Sequence, residues 1–220
     1  MEFFILEPLK NVYILGSFTI LFSHILDFTI DKETFTDYLQ NKTDLYIQGL
    51  ISLYMNLLLV SSINYIIAYN YLLDINTNQF QIIKYSGVLF IHNIMYFIMH
   101  SMVHKIESIR FIHKFHHLFV KNIPSIGNSV SFLEFQIMYV LPFLTSMFLL
   151  EPNVKTINVG IFTISFLNSL IHSTYLKKCN WLYFLVSPRQ HCKHHEVYTG
   201  NYAAPLLNLD LLISPEKKSE

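Results

Sequence analysis

The chain has 220 residues, enough for one or two domains, and its formal net charge is zero. Hydrophobic residues make up 52% and charged residues 14%, with mean hydropathy +0.38, which leaves too little charge to cover a water-soluble surface. The balance of charge excludes an electrostatic nucleic-acid binder, and two cysteines (Cys179 and Cys192) with no CxxC pair argue against a disulfide framework or a zinc finger. An integral membrane protein of all-α class is expected, a helical bundle carrying a histidine-rich helical cap.

Residues 1–10 lack a basic n-region and a small-residue cleavage site, so no cleaved signal peptide is expected. Residues 11–26 are apolar but short for a span, interrupted by His24 and closed by Asp27. A tilted span and an interfacial helix both fit, and His24 reads as a buried or interfacial polar residue. Residues 27–44 are polar and acidic, and a loop with at most one amphipathic turn is expected. Asn41-Lys42-Thr43 within it matches an N-glycosylation sequon, a triplet common by chance. Residues 45–73 form the longest apolar run. At about 1.5 Å per residue it exceeds the ~30 Å hydrocarbon core, so it must tilt or emerge. Tyr65, Tyr69 and Tyr71 near its end suit an interfacial belt. After a polar turn at Asn76–Gln79, residues 82–99 form the next span. Residues 132–150 and 157–171 form two more, joined by Glu151-Pro152-Asn153, with Pro142 expected to kink the first.

Eight of the eleven histidines fall in three blocks: His100 and His104; His113, His116 and His117; His191, His194 and His195. The offsets are i and i+4 in the first, and i, i+3 and i+4 in the others. On a helix each block would present its imidazoles on one face. Neutral imidazole is a strong ligand for transition metals, and three such faces together could hold more than one ion. Residues 100–117 are expected to leave the membrane as a helix, with Ile106 and Glu107 before a second turn-bearing segment from which His113, His116 and His117 face back toward His100 and His104. Ser187-Pro188-Arg189 suits a helix start before His191. His172, closing the last span, is a ninth candidate ligand. Asn168, one turn earlier, could reach the site directly or through water, or bond another helix. His92, two turns below His100, is expected in a structural or pocket role.

Lys105, Arg110, Lys114 and Lys121 flank the first two blocks, with Glu107 alone opposing them. Lys177, Lys178, Arg189 and Lys193 surround the third. The positive-inside rule places all three blocks in the cytosol. The hairpin 132–171 crosses twice and returns, so the blocks share one face. The first span fits less well, because its crossing leaves the acidic 27–44 segment on that same face.

The order HxxxH, HxxHH, a lone histidine after a hydrophobic hairpin, then HxxHH resembles the fatty acid hydroxylase / sterol desaturase superfamily of membrane di-iron enzymes. His113-Lys114-Phe115-His116-His117 is similar to that family's HKxHH, and the spacing to Pro124 and Glu134 is similar too. Ile171-His172-Ser173 resembles its HS element, and His191–His195 with Gly200-Asn201-Tyr202 resembles its HxxHH…NYG ending. The resemblance runs from about residue 85 to 210 within a single membrane domain. The family's third glycine is Ala203 here, its closing WDxxFGT is reduced to Leu209-Asp210-Leu211-Leu212, and Leu176 replaces a further histidine of some members. The resemblance implies two iron ions held by the nine histidines, O2 as co-substrate, and hydroxylation or desaturation of a fatty acyl, sterol or sphingoid lipid. It also implies an electron donor such as cytochrome b5 and its reductase. A non-catalytic family member and a metal- or haem-binding electron-transfer protein are the alternatives. Lys217-Lys218-Ser219-Glu220 matches a KKxx endoplasmic-reticulum retrieval signal, which needs a cytosolic tail.

Overall fold

A segment crossing a bilayer alone must satisfy its backbone polar groups internally, which a helix does. The computed structural model describes residues 4–179 and 181–213. It forms α1 (Leu6–Thr29), α2 (Lys32–Asn41), α3 (Thr43–Tyr71), α4 (Ile82–Lys105), α5 (Phe132–Leu150), α6 (Val154–Ile171) and α7 (Pro188–Val197). All but α2 and α7 are long and apolar enough to cross a membrane. Their outward faces expose large apolar side chains such as Leu21, Ile63, Ile67, Phe90 and Phe148, as lipid-facing helices do. The fold is the all-α membrane bundle expected. The Lys217–Glu220 signal lies outside the described residues.

Two expectations need correction. α1 runs past the apolar residues 11–26 at both ends and is a full-length span of 24 residues. Its last turn is polar yet anchored: Ser125 N donates to Asp27 Oδ1 at 3.2 Å. The 27–44 segment is not a loop but carries α2. Phe35 and Tyr38, three apart, give that helix its one apolar stripe, buried against Tyr46 and Phe119. Tyr38 also donates to Lys121 O at 2.9 Å.

The crossing order follows from contacts at each end. Phe4 N donates to Asn70 Oδ1 at 2.7 Å, so α1 starts beside the end of α3. On that same face Asp74 N donates to Pro152 O at 3.1 Å, joining the α3–α4 and α5–α6 turns. At the opposite face Asp31 accepts from Ser173, Thr174 and Tyr175, the residues that follow α6. The acidic segment thus lies on the histidine face, and α1 crosses fully.

α3 does two jobs. Gly16 of α1 lets it approach closely: a Cβ there would sit 2.9 Å from Leu58 Cδ2 and 3.2 Å from Leu57 O. A π-helical turn at Met55–Val60 keeps Asn56 buried. Ser52 and Asn56 then donate to Val130 O at 2.6 and 2.8 Å, and Ser129 donates to Gly49 O at 2.7 Å. These bonds fix the 122–131 segment, which packs directly on the histidines. In α5 a second π turn, Gln136–Val140, precedes Pro142 and absorbs the irregularity expected there.

Candidate metal centre

His100 and His104 lie in the last two turns of α4. The helix stops at Lys105, just before Ile106 and Glu107, where the sequence places the start of a second segment. Ile106 is extended, and short 3-10 turns follow at Glu107–Ile112 and His116–Leu118. The break is what makes a site. In a straight helix His113 would stand about 20 Å beyond His100. With the chain folded back, their Nε2 atoms face each other at 2.9 Å. α7 is built as its sequence suggests, with Ser187 and Gln190 forming a capping box and Pro188 in the first turn.

The nine candidate histidines meet in two adjoining groups, His100, His104, His113, His117 and His194, and His116, His172, His191 and His195. Within each group one nitrogen from every ring lies within 4.8 Å of all the others. The sequence blocks do not map onto the groups. His116 parts from His113 and His117, and His194 parts from His191 and His195. His116 and His195 have ring centroids 4.5 Å apart, and His117 and His195 4.7 Å, so the groups share a wall.

The outward nitrogens decide the inward ones. Nδ1 of His100 donates to Tyr202 O at 2.7 Å, that of His172 to Asn168 O at 2.6 Å, and that of His194 to Gly200 O at 2.7 Å. Nδ1 of His116 reaches Ser129 O at 3.3 Å, and Nδ1 of His113 donates to Glu134 Oε1 at 2.6 Å. A carbonyl only accepts, so Nδ1 of His100, His116, His172 and His194 carries the proton and leaves Nε2 a lone pair. The His100 lone pair then faces His113 Nε2 at 2.9 Å. His172 presents its own to His191 Nε2, also 2.9 Å away. His116 Nε2 and His194 Nε2 are buried with no protein donor or acceptor. Inward lone pairs at this spacing repel unless a cation sits among them, and the donor set therefore fits a metal.

A proton is a poor substitute for that cation. Burial, then neighbouring imidazoles, holds His113, His116, His191 and His195 well below the ordinary histidine range. Burial lowers His172 to about 4 and His194 to about 3. The rings stay neutral at physiological pH, the form a metal takes. A haem between paired histidines does not fit, because facing nitrogens 2.9 Å apart leave no room for a porphyrin plane.

Asn168 touches the site differently from the expectation. Its backbone oxygen holds His172, while its side chain donates to Asn128 and Tyr139. His92 belongs to neither group and packs on Phe143 in the bundle. His24 faces Asp27 Oδ2 at 3.7 Å. Two contributors escape a reading of the sequence for ligands. Glu134 stands at a span's edge in sequence, yet it is buried and orients His113. Its signals in the sequence are its family-like spacing from the His113–His117 block and its place as a carboxylate opening an apolar span. Asp210 accepts from Tyr202 N and Ala203 N at 3.0 and 2.7 Å, fixing the carbonyl that holds His100.

A sequence model of fatty acid hydroxylases matches residues 85–214. The chain belongs to the fatty acid hydroxylase family. No curated protein and no solved structure gives a match. The match to the fatty acid hydroxylase family begins inside α4 and ends beyond Asp210, so it contains every residue of both histidine groups. Asp210 shows that the shortened ending of this fatty acid hydroxylase family member keeps a working part of the site.

Gly127 and the cysteines provide two tests of this packing. A Cβ at Gly127 would run into the His172 ring. Gly127→Ala should therefore destabilise the fold by roughly 1–3 kcal/mol and lower metal retention, read by thermal unfolding and metal analysis. Cys192 is buried with its Sγ toward Ile171 O and Ser173 O, and burial pushes its thiol up to about 12. Cys179 is exposed. In the native protein maleimide should label Cys179 alone, and mass spectrometry should find Cys192 modified only after unfolding.

Proposed function

We propose that this protein is a membrane di-iron oxidoreductase that hydroxylates or desaturates a lipid chain or ring with O2. The observation that carries the reading is the pair of groups of neutral, inward-facing imidazoles. Imidazole-rich sites without thiolate suit zinc, copper, nickel and iron, and the family points to iron among them. Two irons bound there would supply the reducing chemistry toward O2 needed to break an unactivated C–H bond.

The chain's own residues supply the rest. Glu134, Asn168 O, Tyr202 O and Gly200 O orient the rings through their outward nitrogens. The buried, apolar surroundings keep water from the oxidising step. Lys105, Arg110, Lys114, Lys177 and Lys193 gather on the histidine face. By the positive-inside rule that face is cytosolic, where an acidic electron donor of the cytochrome b5 kind can dock. The endoplasmic reticulum, where such donors and lipid substrates meet, is the proposed location.

The test pairs metal analysis with lipid profiling. Purified protein should retain about two irons per chain, as its two ligand groups require. Cells expressing the wild type should accumulate an oxidised lipid that cells expressing a histidine variant lack. Retained metal with unchanged lipid profiles would favour a non-catalytic member.

A further inference from the structure

Asp31 stands at the N-cap of α2, where an aspartate ordinarily caps its own helix. Here it does not: its side chain makes no capping bond to α2. The carboxylate is buried and reaches instead to the residues that follow His172. We propose that Asp31 is a positioning residue for the group of His116, His172, His191 and His195, so that the N-terminal helices govern one metal position and not the other. This rests on the reading of the two histidine groups as metal positions.

His172 needs such a support. α6 ends at Ile171, so no helical turn follows the ligand to hold its backbone. Nδ1 is tied to Asn168 O, yet the ring aims only as well as the main chain beneath it. Asp31 fixes that chain. Its Oδ2 accepts from Ser173 Oγ at 2.5 Å, and its Oδ1 from Thr174 Oγ1 at 2.7 Å and Tyr175 N at 2.9 Å. Ser173 Oγ in turn accepts from Leu176 N at 3.2 Å. Three successive residues thus converge on one carboxylate, directly after a ligand. Among the described residues no lysine or arginine pairs with Asp31, so these donors are what satisfy it. α7 meets the same turn from the other side, with Cys192 Sγ 3.9 Å from both Ile171 O and Ser173 O. The turn is held between Asp31 and the helix that carries His191 and His195.

The remaining member of the group leans on the same corner. Asp27, near the end of α1, takes Ser125 N of the 122–131 segment, and Ser129 O in that segment holds His116. Supports of the other group come from elsewhere: Glu134 of α5 holds His113, Tyr202 O holds His100 and Gly200 O holds His194. The family match begins at residue 85, so it contains those supports and leaves out Asp27 and Asp31. One ligand group is therefore steadied from within the matched region, and the other also from the segment that precedes it.

Purified full-length protein would be stripped of metal and titrated with ferrous iron under anaerobic conditions. The wild type should fill two positions, and His116→Ala identifies the binding step that belongs to the group of four. Asp31→Ala should weaken that step about 10-fold, as loss of a ligand's outer support does, and leave the other step unchanged. Asp31→Asn keeps one acceptor oxygen and should recover part of the loss. Adding Asp31→Ala to His116→Ala should remove no further metal, because that group is already disabled. Should Asp31→Ala fail to fold, Asp31→Asn and Thr174→Val, which deletes one of the three donors, read the same selectivity at smaller amplitude. A merely structural role would weaken both steps alike. Equal weakening, no weakening, or further metal loss in the double variant would overturn the proposal and leave the oxidase reading intact. Selective weakening in a protein whose wild type oxidises no lipid would defeat the oxidase reading and leave the role of Asp31 standing. A wild type that takes up no iron would overturn both.

Discussion

His116→Ala should reduce bound metal from about two ions per chain to about one, whereas His194→Ala should leave most of the metal in place. Both should drive lipid oxidation below detection, and neither should impair membrane insertion. The asymmetry follows from the ligand counts. His116 belongs to a group of four, and its loss leaves three imidazoles for an ion. His194 belongs to a group of five, which retains four. The common loss of oxidation follows from the shared wall, where His116 and His117 sit against His195. Moving either ion disturbs the space between the two. Metal analysis on purified variants, alongside lipid profiles of the same cells, reads both effects. Equal metal loss in the two variants would show that the ligands are not divided as the structure divides them.

Glu134→Ala should weaken metal binding by about 10- to 100-fold, the range seen when a ligand's outer hydrogen-bond partner is removed. The carboxylate holds Nδ1 of His113 at 2.6 Å and is buried with it. Without it a buried N–H has no acceptor, and the ring loses what fixes its tautomer and rotation. Glu134→Gln keeps an acceptor oxygen, so it should recover much of the affinity. It replaces a titratable carboxyl with an amide, so the metal's spectrum or potential should shift even where binding is retained. A merely structural role would leave those signatures alone. Metal competition titrations of the three proteins separate the outcomes.

The sequence made much of this legible. The spans are runs of apolar residues, and their number and order follow from hydropathy with few exceptions. α1 was understated because polar residues such as Asp27 close it, and a window on apolarity alone cannot see the bond from Ser125 that anchors them. α2 was taken for a loop because its stripe is only Phe35 and Tyr38. The ligand candidates are legible from their offsets, and so is the turn-back of His113, His116 and His117 toward His100 and His104; that short 3-10 turns carry them is not. Their convergence comes from the chain break at Ile106, the point at which the sequence begins a second segment. Glu134 acts through one long-range hydrogen bond, and Asp210 through two bonds to the backbone of a nearby loop, neither of which helical or strand periodicity encodes.

The interleaving of the ligand groups has a consequence for how the protein is made. The first group draws His194 from α7, and the second draws His172, His191 and His195 from residues that follow the last span, yet also needs His116 from before the α5–α6 hairpin. A nascent chain that has emerged only as far as α5 holds four imidazoles of one nest and a single imidazole of the other. Filling would therefore be stepwise: the nest that already holds four imidazoles is complete enough for one ion before α7 exists, whereas the other closes only once His172, His191 and His195 have followed the last span. A chain stopped before Ser187 keeps four imidazoles of the first nest but only His116 and His172 of the second, so it could be filled on one side alone.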